Sequence, residues 1–170
     1  MKKIIIIGCP GAGKSVFSRK LARVTHLPLI HLDMIFHNSD GTHISKEEFN
    51  KKLSKVLVKE RWIIDGNYQS SLEMRLKACD TVFLLDFPTE VCLEGAKARV
   101  GQKRDDMPWF ETELQDNFKQ KILNFEHDKL PEIYDLLDEY KEGKNILIFK
   151  SRKEADEYID KLANESNKEH

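Results

Sequence analysis

Eight residues near the start of the chain, Gly8-Cys9-Pro10-Gly11-Ala12-Gly13-Lys14-Ser15, have the types and spacing of a G-x-x-x-x-G-K-[ST] phosphate loop. Glycines let the backbone curl so that successive N–H groups point inward at phosphate oxygens. A helix after the loop adds its unpaired N-terminal donors and its dipole. Lys14 is placed to reach the β- and γ-phosphates, which makes it a catalytic candidate as well as a binding one, and the Ser15 hydroxyl can ligate Mg²⁺. The whole run from Gly8 to Ser15 is therefore expected to bind a nucleoside triphosphate. Three carboxylates, Asp33, Asp65 and Asp86, each close an apolar run, and a cluster of cations, Arg99, Lys103 and Arg104, enters an aperiodic segment. Carboxylates and cations of this kind are what phosphoryl transfer uses for acceptor, metal and charge neutralisation.

The loop needs a strand before it and a helix after it, and the sequence supplies both. Ile4 to Ile7 are four β-branched residues, the pattern of a strand buried on both faces. Phe17, Leu21 and Val24 recur at helical spacing. Further on, strands are expected over 27–33, 61–65, 80–86 and 145–149. Ser45 and Glu48 form a capping box for a helix that buries Phe49, Leu53, Val56 and Leu57. A short helix is expected over 70–77 and another from Thr89 to Val100. Residues 109–140 read as largely helical with an interruption near Pro131, and a last helix opens near Ser151. Residues 101–108 are polar, charged and without period. Strands alternating with helices imply an α/β domain with a parallel sheet, here a single unit over 1–164 with a frayed tail at 165–170.

Composition excludes several classes. Hydrophobic residues make up 40% of the 170 and charged residues 34%, as in a soluble globular domain. A net charge of −1 gives no general pull toward nucleic acid or an anionic membrane, so neither is expected as a direct partner. The three cysteines, Cys9, Cys79 and Cys92, form no metal spacing and read as buried free thiols. The apolar run after Met-Lys-Lys stops at Gly8, too short for a signal sequence, and no stretch could span a bilayer. The expected compartment is the cytoplasm, with monomer and homodimer both open. His31, His37 and His43 share no helical face, which argues against a metal site built from them.

Beyond the loop, His31-Leu32-Asp33, Trp62-Ile63-Ile64-Asp65-Gly66-Asn67-Tyr68, Leu84-Leu85-Asp86-Phe87-Pro88 and the run from Arg99 through Arg104 to Met107 follow in order. With these pieces the chain resembles the adenylate-kinase-related proteins labelled DNA topology modulation proteins, over nearly the whole domain. The resemblance implies a three-layer P-loop NTPase fold of the nucleoside and shikimate kinase type, with strand order 2-3-1-4-5. It also implies an ATP-dependent kinase using Mg²⁺, with a mobile lid at 101–108 and an acceptor-binding region at 34–60. By the same likeness Asp65 holds Mg²⁺ with Ser15, Asp86 being the competing carboxylate. Asp33 orients or deprotonates the acceptor hydroxyl, Arg99 stacks on the nucleotide, and Arg99 and Arg104 clamp phosphates. Asn67, Tyr68 and Arg75 fall on the acceptor side.

The chain departs from adenylate kinases where they grip the second nucleotide. Residues 27–60 contain no arginine, and the turn Gly66-Asn67-Tyr68-Gln69 has none before Arg75. A dianionic acceptor would lose its bidentate clamps. The expectation is an ATP-dependent phosphotransferase whose small-molecule acceptor is uncharged and polar rather than AMP. The alternative is an ATP-binding regulatory protein with little turnover, linked to DNA topology only indirectly.

Overall fold

The computed structural model describes residues 1–166 and 168. Five strands, β1 (Lys3–Gly8), β2 (Leu29–His31), β3 (Trp62–Asp65), β4 (Thr81–Leu85) and β5 (Asn145–Phe149), form one sheet in the order β2-β3-β1-β4-β5. Every neighbouring pair is parallel, with Ile5 opposite Ile64 on one side and Val82 on the other. The order is the one the resemblance implies, and its cause is visible in the strands. Ile4 to Ile7 have no exposed surface, and β3 and β4 are buried along their whole lengths. A strand covered on both faces belongs in the centre of a parallel sheet.

Helices α1 (Lys14–Thr25), α2 (Leu32–Phe36), α3 (Lys46–Leu57), α4 (Leu72–Ala78), α5 (Thr89–Arg99), α6 (Asp116–Asp128), α7 (Leu130–Glu139) and α8 (Arg152–Ser166) lie around the sheet. Phe17 of α1 meets Phe83 of β4 edge-on at 5.2 Å, and Phe83 stacks on Phe149 of β5 with Tyr158 of α8 beside both. The capping pair of α3 forms as its sequence requires: Ser45 Oγ accepts from the Glu48 amide at 3.1 Å, and Phe49, Leu53 and Leu57 are buried. Pro131 falls in the first turn of α7, where its missing N–H costs nothing.

Three boundaries differ from the sequence expectation. The strand expected over 27–33 is only Leu29–His31, because Pro28 has no N–H to give a ladder and the chain turns into α2 at Leu32. Asp33 therefore sits in the first turn of a short helix, not at a strand end. The irregular segment expected over 101–108 runs from 100 to 115, and helix starts at Asp116 rather than Trp109. The Gly101 amide donates to the Glu111 carbonyl at 2.8 Å, which folds 109–111 back on the loop and denies it helical geometry. Finally, α8 is helical through Ser166, past the expected start of the tail; of that tail, residues 167, 169 and 170 lie outside the described residues.

The N-terminal end of β1 is fixed by one carboxylate. Asp80 Oδ2 accepts from the Lys2 and Lys3 amides at 2.8 and 3.0 Å, and Oδ1 accepts from the Thr81 hydroxyl at 2.7 Å. Partial burial pushes its carboxyl up, but these three donors outweigh it and hold it below the ordinary value. A carboxylate depressed in the folded state contributes stability above its unfolded pKa and loses it as pH falls through the folded one. Asp80→Ala is accordingly expected to cost about 1–2 kcal/mol at pH 7. Urea unfolding should show the gap to wild type closing as pH falls below about 4.

Candidate active site

The phosphate loop joins β1 to α1 at the carboxyl edge of the sheet, where the strand order reverses. Gly11 and Gly13 both have positive φ, +84° and +95°, and a Cβ on Gly11 would lie 2.0 Å from the Cys92 carbonyl of α5. Only glycine fits there. Four of the loop carbonyls are held by side-chain cations. Lys14 Nζ donates to Gly8 O at 2.9 Å and Cys9 O at 3.1 Å, while Arg152 donates to Ala12 O at 3.1 Å and Gly11 O at 3.2 Å. Burial pulls the Lys14 ammonium below its ordinary value, and the charges of Asp65 and Asp33 work against that pull.

The three expected carboxylates have separate fates. Asp86 turns away from the loop and is held by Lys150 and by the Tyr134 hydroxyl at 2.6 Å. Asp65 is buried with both oxygens engaged, by Ser18 Oγ at 2.8 Å and His31 Nδ1 at 2.9 Å. Burial disfavours the charged His31 ring, but the bond to Asp65 and its charge raise it above its ordinary value. Two bonds leave lone-pair sites on a carboxylate, so Asp65 keeps the capacity to reach a metal through water, one turn of α1 below Ser15. The carboxylate that reaches Ser15 is Asp106, whose Oδ2 accepts from Ser15 Oγ at 2.6 Å. Two hard oxygens side by side suit Mg²⁺, which keeps most of its shell for phosphate and water. Among the described residues no group of three or more His, Cys, Asp or Glu side chains could hold a metal ion.

Arg104 and Arg99 both come to this edge, Arg104 with its charge matched and Arg99 with a donor left over. Arg104 makes a two-pronged contact with Asp106, Nε at 3.1 Å and a terminal nitrogen at 2.6 Å, and its other terminal nitrogen donates to Glu111 at 2.9 Å. Arg99 lies 5.1 Å over the Phe118 ring with Nε 3.6 Å from Glu111, and that Nε is buried without a hydrogen bond. Burial and the neighbouring Arg104 pull the Arg99 guanidinium below its ordinary value. Lys103 is exposed.

On the acceptor side Asp33 Oδ1 accepts from the Tyr68 hydroxyl at 2.5 Å, and His37 Nε2 is 3.9 Å away. Burial and the Asp33 charge push the Tyr68 phenol far up, so it stays a donor. Tyr68 has φ +29°, a strained value for a residue with a side chain, and Phe36 and Phe49 hold its ring at 5.1 and 5.0 Å. Asn67 faces the phosphate loop: its Oδ1 accepts from the Gly8 amide at 3.1 Å. Arg75 corrects the expectation of an acceptor ligand. It is fully buried, donating to Gly66 O at 2.9 Å, Tyr68 O at 3.2 Å and Asn67 O, so it braces the 66–68 turn from beneath.

Sequence reasoning missed Asp106, Arg152 and Gly95. Glycine inside a helix is a recognised sign of close approach, and Gly95 of α5 is one: a Cβ there would meet Gly11 O at 2.1 Å and an Arg152 nitrogen at 2.8 Å. Arg152 opens α8, where a cation opposes the helix dipole, a weaker sign of a tertiary duty. Asp106 is one of two adjacent aspartates in an aperiodic loop, and no local pattern separates it from Asp105.

These features define a three-layer α/β P-loop fold with the site at the carboxyl ends of β1, β2 and β3. The known proteins that it resembles are kinases of that fold. It is 28% identical to the adenylate kinase of Thermotoga maritima over 88 residues, 51% of this chain and 39% of that one. It is 27% identical to the adenylate kinase of Thermosipho africanus over 124 residues, 69% of this chain and 56% of that one. The chain thus matches between about two fifths and just over half the length of these relatives. Among solved structures it resembles a shikimate kinase from Acinetobacter baumannii in complex with shikimate (TM-score 0.58, 18% identity, 95% of this chain and 90% of that one). It also resembles a gluconokinase from Sinorhizobium meliloti (TM-score 0.55, 13% identity, 97% and 89%). No protein-family model matches, and none of the relatives named here carries the topology-modulation label. Among the described residues no helix is long and apolar enough to cross a membrane. All three cysteines are free and buried.

Arg75→Leu removes the donors of three carbonyls, at about 1–3 kcal/mol for each left unsatisfied. We expect a loss of about 3 kcal/mol or more in urea unfolding. An unchanged unfolding midpoint with weakened acceptor binding would return Arg75 to the acceptor site.

Proposed function

We propose that this protein is an ATP-dependent small-molecule kinase that moves the γ-phosphoryl group of ATP to a hydroxyl of an uncharged polar acceptor. The observation that carries the acceptor class is the position of Arg75. With its guanidinium spent on the 66–68 turn and no arginine in 27–60, the acceptor side offers no bidentate clamp for a second phosphate. What it offers is Asp33, one oxygen held by the Tyr68 hydroxyl, with aromatic side chains around it.

Each residue has a part suited to its surroundings. The loop from Gly8 to Ser15 and the start of α1 cradle the phosphates, and Lys14 carries positive charge among them. Mg²⁺, bound with the help of the Ser15 hydroxyl, would supply neutralisation of the β- and γ-phosphate oxygens. Arg99 brings a cation from the end of α5 and Arg104 one from the 100–115 loop, which closes over the site and limits water. Asp33 accepts the hydroxyl proton of the acceptor as its oxygen bonds to phosphorus and ADP departs. Tyr68 fixes the aspartate's orientation and remains protonated. The adenylate kinase relatives and the kinase structural neighbours support the reaction class.

The test is ATP consumption with purified protein and Mg²⁺ against nucleosides, sugars, other hydroxylated metabolites and AMP. A neutral hydroxyl compound is expected to give the fastest turnover. Lys14→Ala should abolish it, and Asp33→Asn should lower kcat by about 10²–10⁴-fold while ATP affinity holds. AMP turning over fastest would sink the acceptor class. Binding of ATP without turnover on any acceptor would favour a regulatory nucleotide-binding protein.

A further inference from the structure

The contact between Ser15 and Asp106 is out of place for an ordinary surface loop. Asp106 is 3% exposed, although it belongs to the irregular 100–115 segment whose neighbours Lys103, Asp105 and Phe110 are exposed. Its two oxygens accept three hydrogen bonds: Oδ1 from Arg104 Nε, Oδ2 from a terminal nitrogen of Arg104 and from Ser15 Oγ, whose proton a cation would displace. Burial alone would push its carboxyl up, but the Arg104 fork, the Ser15 hydroxyl and the Arg104 charge hold it far below the carboxylate range. A buried carboxylate thus lies against the first turn of α1, where an anionic phosphate is expected.

Such a placement needs a reason. Arg104 offsets the charge of Asp106, yet a carboxylate beside the first turn of α1 still faces the γ-phosphate that the loop is built to hold. A divalent cation between the two turns the repulsion into a pair of attractions. The spacing allows one. On an octahedron with metal–oxygen bonds of 2.0–2.1 Å, neighbouring ligand oxygens lie about 2.9 Å apart. Ser15 Oγ and Asp106 Oδ2 are 2.6 Å apart as a hydrogen-bonded pair, so a few tenths of an ångström separate this contact from two adjacent vertices. The other carboxylates at this edge bond elsewhere, Asp65 to Ser18 and His31 and Asp86 to Tyr134 and Lys150, and neither bonds to Ser15.

We propose that Asp106, carried on the 100–115 loop, is the protein carboxylate of the metal–nucleotide site and acts beside Ser15 on the divalent cation. The inference rests on the kinase reading above and adds a coupling to it. Because Arg104 is forked onto Asp106, the loop would deliver the carboxylate and the phosphate-neutralising cation in one closure. Metal would then favour the closed loop, and an open loop would bind metal–nucleotide weakly.

The experiment measures Mn²⁺, as a paramagnetic stand-in for Mg²⁺, binding to the protein–ADP complex by electron paramagnetic resonance. ADP affinity in EDTA and thermal unfolding are followed alongside. Asp106→Asn is expected to weaken Mn²⁺ binding to the ADP complex by about ten- to a hundredfold, with ADP affinity in EDTA unchanged or slightly tighter. Asp106→Glu should recover part of the loss, which a merely structural defect would not, and the exposed neighbour variant Asp105→Asn should match wild type. Asp106→Ser is read in the same way if the asparagine variant does not fold. Wild-type or tighter Mn²⁺ affinity in Asp106→Asn would overturn the proposal and leave Asp106 as a latch over an empty loop. Wild-type protein with no ADP-dependent Mn²⁺ site would overturn both this inference and the kinase reading.

Discussion

A loop that turns its N–H groups toward an anion must dispose of its carbonyls elsewhere, and the rest of this structure depends on how that is done. Gly8 and Cys9 give theirs to Lys14, and Gly11 and Ala12 give theirs to Arg152. Gly11 passes so close to α5 that residue 95 must also be glycine. A loop so tied is preorganised: these carbonyls are already satisfied before a phosphate arrives, and an anion finds the shape in place. One partner is the loop's own Lys14, and the others come from distant parts of the chain, the middle of α5 and the start of α8. The fold of those helices and the geometry of the loop are therefore one problem.

Charge at the carboxyl edge of the sheet is arranged in closed pairs. Arg104 is matched by Asp106 and Glu111, and Asp65 by His31 and Ser18. Such pairs add little net stability when buried, because desolvation offsets most of the attraction. What they supply is position. Arg99 is the exception, with a buried Nε that makes no hydrogen bond and a ring beneath it, a guanidinium held near the site with a donor to spare. On the acceptor side the same economy appears in Tyr68, whose unusual backbone is maintained by the Asp33 contact in front, two phenyl rings beside it and Arg75 behind.

Much of this could be read before any coordinates. The Ile4–Ile7 run is the centre of the sheet, the Gly8–Ser15 turn joins it to a helix, and the Ser45 cap opens α3. These are local signals, set by β-branching, glycine and a hydroxyl at an N-cap, and tertiary context had nothing to overrule. The errors fell where a residue's role depends on who faces it. An arginine three residues into a short helix reads as a free cation, yet Arg75 is a buried strut because the 66–68 turn folds back over it. An aspartate after an apolar run shows its charge but not its neighbours, and no local pattern announces the bonds Asp65 accepts from Ser18 and His31.

By itself the sequence determined the class of fold, the phosphate loop with its lysine and serine, and the lack of arginine clamps on the acceptor side. All three follow from residue type and spacing within a few positions of the chain. Only the tertiary structure decided that Asp106 touches Ser15, that Arg152 holds the loop, and that Arg75 and Asn67 belong to the framework. Apart from Arg75, which reaches 7 to 9 positions back to its turn, those contacts join residues 59, 91 and 140 positions apart in the chain. No periodicity or spacing rule spans such distances; the pairing is made when the sheet brings its carboxyl ends together.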